Sequence, residues 1–577
     1  MRSSTSLLAL GATVLASLSA LAVGCGDSST CEERGDCVRD PCADPAYAAA
    51  YPAACPDASA AGGSAGASGA GGSVGDAGDQ DTGSGGTVDH DASDASGSDV
   101  ADEPEAFWCN PAWEPGDHDC VVSDDYGVFV SPSGADGAAC GTKDAPCKSV
   151  GHAMLRAKAQ GKRLYACGDG GTFDERITVD ATLGGLTLYG GFRCGSWAYE
   201  PAAVRSRVMS SDGSPALVVS DVDGLHVRDF AFESGDATSA GGSSIAARVV
   251  ASTDVVFRNT TFKAASGAAG SNGQNGQAGE VVPPVGPDQK GRDSTCGSGT
   301  PNAGGLWLTP FTCAAGGSTR GGAGGTAQYE KPGLAGDPGE PTTDVVTPGM
   351  GQGGAGGTAA DKGGKAGQAG SAGKAGANGA AAAAIGTLSE SGYTPADGQD
   401  GANGFAGQGG GGSGASWSFT GCVGPSGGAG GLGGCGGFKG TAGKGGGASI
   451  ALLMWDSDVT LDNCTLTAGD GGKGGDGGNG GAGSNGRPGA AGGFDTTGDM
   501  ANAGQAGPGG KGGDGGSGSG GTGGPSYALV HHGPAPVHSG TTLTHGQGGA
   551  AGKGGSVGGL HPAPDGTAGE AGEVLGL

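Results

Sequence analysis

Aromatic residues make up only 5% of this 577-residue chain and hydrophobic residues 35%, while 137 positions are glycine. A chain so composed cannot bury enough apolar surface to offset the entropy of ordering all of it, so an apolar core is confined to part of the length. Cationic side chains are scarce as well: 30 Lys and Arg stand against 58 Asp and Glu, a net charge of −28. Nucleic acid and anionic lipid are bound through Lys and Arg, and both are therefore excluded as partners. Beyond residues 7–23 no apolar run approaches a membrane span, which excludes repeated crossing. The close Cys and His spacing of zinc sites is missing, the Asp residues around Asp89–Asp94 fit no calcium loop, and no glycine-rich stretch has the strand before and helix after that a phosphate loop needs. No cofactor is expected.

What is present begins with export. Arg2 gives a positive start, residues 7–23 are apolar, and small residues lead to Cys25, the order of a signal peptide. Leu21-Ala22-Val23-Gly24-Cys25 resembles a bacterial lipobox, which implies removal of residues 1–24 and acylation of Cys25; Ala22 departs from the Leu preferred there. Gly26 is compatible with release to an outer membrane or the cell surface. Sixteen cysteines in an exported chain favour disulfides. Apart from Cys25 they fall into a cluster (Cys31, Cys37, Cys42, Cys55), five neighbouring couples (Cys109/Cys120, Cys140/Cys147, Cys167/Cys194, Cys296/Cys313, Cys422/Cys435) and a remainder, Cys464. The couples are paired by proximity alone. Residues 40–142 contain no Lys or Arg, and 25–106 read as a Cys-containing segment that becomes an acidic, low-complexity stalk expected to stay disordered.

Order resumes near Phe107. A strand enters the turn at Val128–Gly134, a helical segment at 148–160 carries apolar Val150, Ala153, Met154 and Ala157, and short strands follow at 163–166, 176–179 and 186–189. Four octets then superpose: residues 225–232, 255–262, 459–466 and 536–543. In the first three, positions one and three are apolar and two and four mostly polar, as in a strand with one buried face. Position five holds Asp229, Asn259, Asn463 and Gly540, residue types that accept a left-handed backbone at least cost, so the chain bends there. A further apolar run precedes each octet. The strand and turn at 128–134, the stretch Ala145-Pro146-Cys147-Lys148 before the helix, and Leu186–Phe192 resemble the entrance of a pectin-lyase-like right-handed parallel β-helix, with a β-sandwich as the competing fold. The expected class is all-β: a β-helix over 107–266, interrupted by glycine-rich insertions at 267–447 and 469–524, with coils at 448–468 and 525–577. The fourth octet, with Pro536 and His538 at apolar positions, reads as an end coil.

Within the insertions glycine recurs every third residue, from Gly364 to Gly379 and from Gly471 to Gly492. That is the period of an extended left-handed helix with three residues per turn. The arrays are too poor in proline for collagen, and the toxin-type calcium repeat fails because its apolar positions are Gly478 and Gly516. Arms packed on one another, or without order, are expected. By composition residues 265–560 resemble the glycine-rich repeats of PE-PGRS proteins and of myxobacterial-type surface lipoproteins. The expectation is a lipid-anchored structural or adhesive surface protein, with extracellular polysaccharide or other surface proteins as partners. The alternative is a lyase or hydrolase of acidic polysaccharide, since many pectin-lyase-like proteins act on such chains. Its candidate groups are Asp221, Asp223, Arg228 and Asp229, then Asp456, Asp458 and Asp462, with His531 and His532 as a further polar spot; Asp221 to Asp223 also fit a turn between strands, and Asp229 already has its place in the bend. Trp197, Trp307, Trp417 and Trp455 are candidates for stacking on sugars, with packing as the plainer role.

Overall fold

Alternating side chains need a partner strand to bury their apolar side, and the octets find it in one another. A computed structural model describes residues 109–559 and 561–577. The signal peptide, Cys25, the cysteine cluster and the acidic stalk lie outside the described residues. The fold is all-β, with most strands in three parallel sheets. The first holds Gly127–Val130, Arg163–Cys167, Leu186–Phe192, Asp223–Arg228, Thr253–Arg258, Val459–Asp462 and Val537–Ser539. The second runs from Ile177–Val179 through Leu217–Ser220, Ser244–Val250, Ser449–Trp455 and Ser526–His532 to Ala571–Gly576. The third runs from Thr172–Asp174 through Ser206–Ser210, Phe230–Ser234, Thr261–Ala264 and Thr465–Thr467 to Thr542–Thr544. From Thr172 onward the chain visits third, second and first sheet in turn. Antiparallel sandwich topology is thereby excluded.

The second and third octets, some two hundred residues apart, lie side by side: Val255 is opposite Val459, Phe257 opposite Leu461 and Phe262 opposite Leu466. All six are at most 1% exposed. Phe262 also stacks on Phe232 of the preceding coil at 5.8 Å. At one end of this core lies the helix Val150–Gln160, capped by the Ser149 hydroxyl and ended by Gly161 at φ 62°; its buried residues are the four apolar positions named above. At the other end Val537 is 65% exposed, on the edge strand Val537–Ser539 of the first sheet.

The bend between first and third sheets is made at Asp229, Asn259, Asn463 and Gly540, with φ of 59°, 48°, 52° and 58°. Asn463 donates its amide to the Asn259 side chain at 2.5 Å, so the bends stack as a ladder. A second left-handed column stands between second and first sheets, at Asp221, Ala251, Asp456 and Gly533, with φ of 56°, 46°, 47° and 79°. Asp221 and Asp456 therefore serve the backbone turn. Next to the first column, Thr260 and Thr541 turn their hydroxyls back to main-chain carbonyls, and Cys464 occupies the same place, with Sγ 3.3 Å from the Phe257 carbonyl. Burial pushes its thiol up to about 11. In the folded protein at pH 8 Cys464 is expected to resist iodoacetamide, and Cys464→Thr to change stability by no more than about 1 kcal/mol; prompt alkylation of the native chain would mean that this corner opens locally.

Every long insertion leaves after a third-sheet strand and returns to a second-sheet strand. The glycine segments do pack on one another, through main-chain hydrogen bonds repeated every third residue. Gly270, Gly273 and Gly276 donate to the carbonyls of Lys473, Asp476 and Asn479, a parallel pairing. Gly475, Gly478 and Gly481 donate to Lys444, Thr441 and Phe438, an antiparallel one. The parallel pairing continues the third sheet, where Thr261 faces Thr465, into the glycine segments with almost the same offset. Glycine is required by closeness: a Cβ on Gly478 would overlap the Gln274 carbonyl, and one on Gly512 the Cys435 carbonyl. Where two glycines alternate with one other residue, as in 471–479, both glycines meet neighbours and Lys473 and Asn479 are exposed. Asp476 and Asp514, the acids of the calcium-like repeats, accept from the Lys553 and Gly483 amides and pair with Lys473 and Lys511.

Cys109–Cys120, Cys140–Cys147 and Cys167–Cys194 are disulfides between neighbouring cysteines. The other two couples exchange partners: the bonds are Cys296–Cys422 and Cys313–Cys435, across 126 and 122 residues of sequence. Pairing by proximity fails here because the segments fold back antiparallel, which places Thr295-Cys296 beside Cys422-Val423.

Candidate functional site

The carboxylates proposed for catalysis do not gather into one site. Asp229 is 1% exposed and accepts from the Tyr199 hydroxyl at 2.5 Å and from Arg205 at 3.2 Å. Burial raises its carboxyl above the usual range, opposed by those two partners. Asp223 accepts from Thr253, Asp462 from Arg258 and Ser539, and Asp456 pairs with His532 at 2.8 Å. Arg228 is paired with Glu114. His532 in turn lies flat on Trp455, ring centres 4.3 Å apart. Trp197 is buried against Phe129, and the Trp307 indole donates to the Gly430 carbonyl. Trp417 is half-buried in the glycine layer, its amide donating to Lys362. The two groups of potential metal ligands among the described residues each contain cysteines committed to disulfides, Cys140–Cys147 in one and Cys313 and Cys435 in the other.

A cavity of about 350 Å³ opens instead on the outer side of the second sheet. Its floor includes Val218, Ile245 and Arg248, one wall is the turn around Ser214, and the other is the hairpin of Gly386–Ser389 and Gly392–Pro395, which belongs to the first long insertion. The hairpin is held by apolar packing of Leu388 and Tyr393 against Ile245, Ile450 and Tyr527. The Tyr393 hydroxyl donates to the Ile385 carbonyl, and burial pushes it up to about 12, so it remains a neutral donor. Arg248 donates to the Ser391 carbonyl at 3.0 Å, and its buried Nε has no partner. Arg176 is exposed at the rim. Two guanidiniums, serine hydroxyls and a tyrosine line the space, and no carboxylate does. Two of the nearby acids are engaged elsewhere: Glu175 accepts from the Val150 and Gly151 amides at the helix start, and Asp212, held down to about 2 by Ser214 and Ser210, closes its own turn.

The cavity is not legible in the sequence because its residues come from four separate stretches, at 176, 213–218, 241–248 and 391–393. Arg248 alone gave a signal, as a cation inside the apolar run 245–250. No family model, curated protein or solved structure matches the chain.

Proposed function

We propose that this chain is a structural and adhesive protein of a bacterial surface, lipid-anchored at Cys25, which binds extracellular polysaccharide in the cavity of Arg176, Arg248 and Tyr393. On this reading the three-sheet succession is a right-handed parallel β-helix of the pectin-lyase-like type, and the glycine layer is its outward extension. The cavity carries the proposal. In a chain of net charge −28 it offers two guanidiniums and no acid among its lining residues. Guanidinium is suited to carboxylate and sulfate, with which it makes paired, charge-assisted hydrogen bonds, and a tyrosine ring beside it suits a sugar face. Glycoside hydrolysis calls for a pair of carboxylates flanking the bond, and these lining residues supply none. The lining thus favours retention of an acidic glycan over its hydrolysis.

The test is an array of neutral, uronic-acid and sulfated glycans, with and without calcium, run beside product analysis on the retained polymers. The expected result is retention of acidic glycans without shortening, weakened roughly tenfold or more in Arg248→Ala, the equivalent of about 1.4 kcal/mol for one charge-assisted contact. Shortened or unsaturated chain ends would replace this reading with a hydrolase or lyase.

A further inference from the structure

A different surface, on the outer side of the first sheet, holds a second and independent feature. Four residues in register project from neighbouring strands there: Tyr189, Arg228, Arg258 and Asp462. Arg163 joins them, and it and Arg228 each lie 5.6 Å from the centre of the Tyr189 ring. Across this row runs the loop closed by Cys109–Cys120. Arg163 donates to the main-chain carbonyls of Trp113, at 2.6 Å, and Pro111. Glu114 pairs with Arg228 and stands 3.9 Å from Arg258. The loop is held at several points: Trp113, Cys109 and Cys120 pack on the aromatic cluster of Tyr165, Tyr189 and Phe192, Pro115 is buried, and the Cys109 carbonyl accepts from the Tyr126 hydroxyl at 3.2 Å. Val121 and Val122 are 0% and 6% exposed, whereas Ala112, Gly116 and Asp117 are exposed.

We propose that this row is a docking site for an acidic peptide, and that Pro111–Glu114 is its resident occupant. Charge argues first. Arg163, Arg228 and Arg258 against Asp462 leave a net of +2 in the row once Glu114 is withdrawn, on a protein of net charge −28. An uncovered strip of that kind attracts a carboxylate, and Tyr189 gives the guanidiniums a flat face on which they stay ordered. The contacts then select the class of ligand. Two of the three groups the loop presents are main-chain carbonyls, two residues apart, and the third is the carboxylate of the following residue. A peptide with an acidic residue next to an aromatic one reproduces that pattern, and a polysaccharide has no such carbonyls. The resident loop shares the chain with its site and so competes at high effective concentration. A partner gains access only when Pro111–Glu114 leaves the row, drawing the packed Trp113 and the buried Pro115 with it.

The probe is a fluorescein-labelled synthetic peptide of residues 109–120, closed by its own disulfide and titrated against the full chain by anisotropy. Wild type should bind it weakly and Glu114→Ala roughly tenfold or more tightly, a change of about 1.4 kcal/mol. Adding Arg228→Met to Glu114→Ala should return binding to the wild-type level, and a probe with glutamine in place of its glutamate should fail on both proteins. Glu114→Gln, which keeps the shape of the side chain, replaces Glu114→Ala if the latter melts without cooperativity. The proposal is overturned if a folded Glu114 variant binds no more tightly than wild type, or if the tighter binding survives Arg228→Met. Equal binding of a glucuronate oligosaccharide would overturn the peptide assignment. Because none of these residues lines the Arg248 cavity, loss of glycan retention in Arg248→Ala leaves the peptide result unchanged.

Discussion

Gly478→Val is expected to destabilise the glycine layer by about 3 kcal/mol or more and to raise hydrogen exchange together in residues 267–282, 426–447 and 469–524. The size follows from what surrounds that one Cα. Gly478 donates to Thr441 at 2.8 Å and accepts from Gly518 at 2.9 Å, and the site of its missing Cβ is filled by the Gln274 carbonyl. An added side chain forces segments apart, costing about 1 to 3 kcal/mol in overpacking, and each buried amide or carbonyl that loses its partner adds about 1 to 3. Relaxation is hindered because Gly273 and Gly276, on either side of Gln274, are fixed to Asp476 and Asn479 by bonds of 2.7 Å. Ala482→Val is the control: residue 482 is exposed in the same segment and should be close to neutral. Equal tolerance of both substitutions, in urea unfolding and exchange, would mean that the layer is loosely held in solution.

Phe257→Asp is expected to cost still more, beyond about 5 kcal/mol, and to abolish the β signal of the central coils. Phe257 is fully buried between Val227 and Leu461 and meets Phe262 edge-on at 5.0 Å. Truncating such a residue costs about 3 to 5 kcal/mol, and the new carboxylate would be buried without a partner. Phe257→Leu should retain the fold with a modest loss. A cooperative wild-type-like melt for Phe257→Asp would mean that this coil contributes little to the stack.

These two substitutions mark what could and could not be read from the chain. The octets were legible because alternation and a single Asp, Asn or Gly at position five leave little freedom in register, and the predicted neighbours 255 and 459 stand opposite each other. The second left-handed column was hidden by Ala251, which carries no hint of positive φ, and by Asp456, a candidate for chemistry; of these residues only Asp221 also reads as part of a turn. Period-three glycine revealed the spacing of the main-chain contacts but none of their partners, since a glycine that meets Gln274 looks the same as one that meets Cys435. The exchanged cysteines failed for a related reason: closeness along the chain says little where segments more than a hundred residues apart lie antiparallel. The Arg248 cavity depends on a hairpin inside an insertion, and nothing local to Arg248 points to residues 386–395.

The continuation of the third sheet into the glycine layer has a consequence for how such a protein is assembled and how it grows. Neighbouring strands lie about 4.8 Å apart, so successive coils deliver glycine segments already side by side and in phase, Thr261 against Thr465 and then Gly267 against Asp470. Glycine loses more conformational freedom on folding than any other residue, and an isolated array would pay that entropy with nothing to align it. Here the sheet acts as a seed crystal, and the glycine segments extend a lattice whose first row is already laid. Duplicating one three-strand repeat together with its insertion would add a strand to each sheet and a row to the glycine layer, so gene duplication can extend both in a single step.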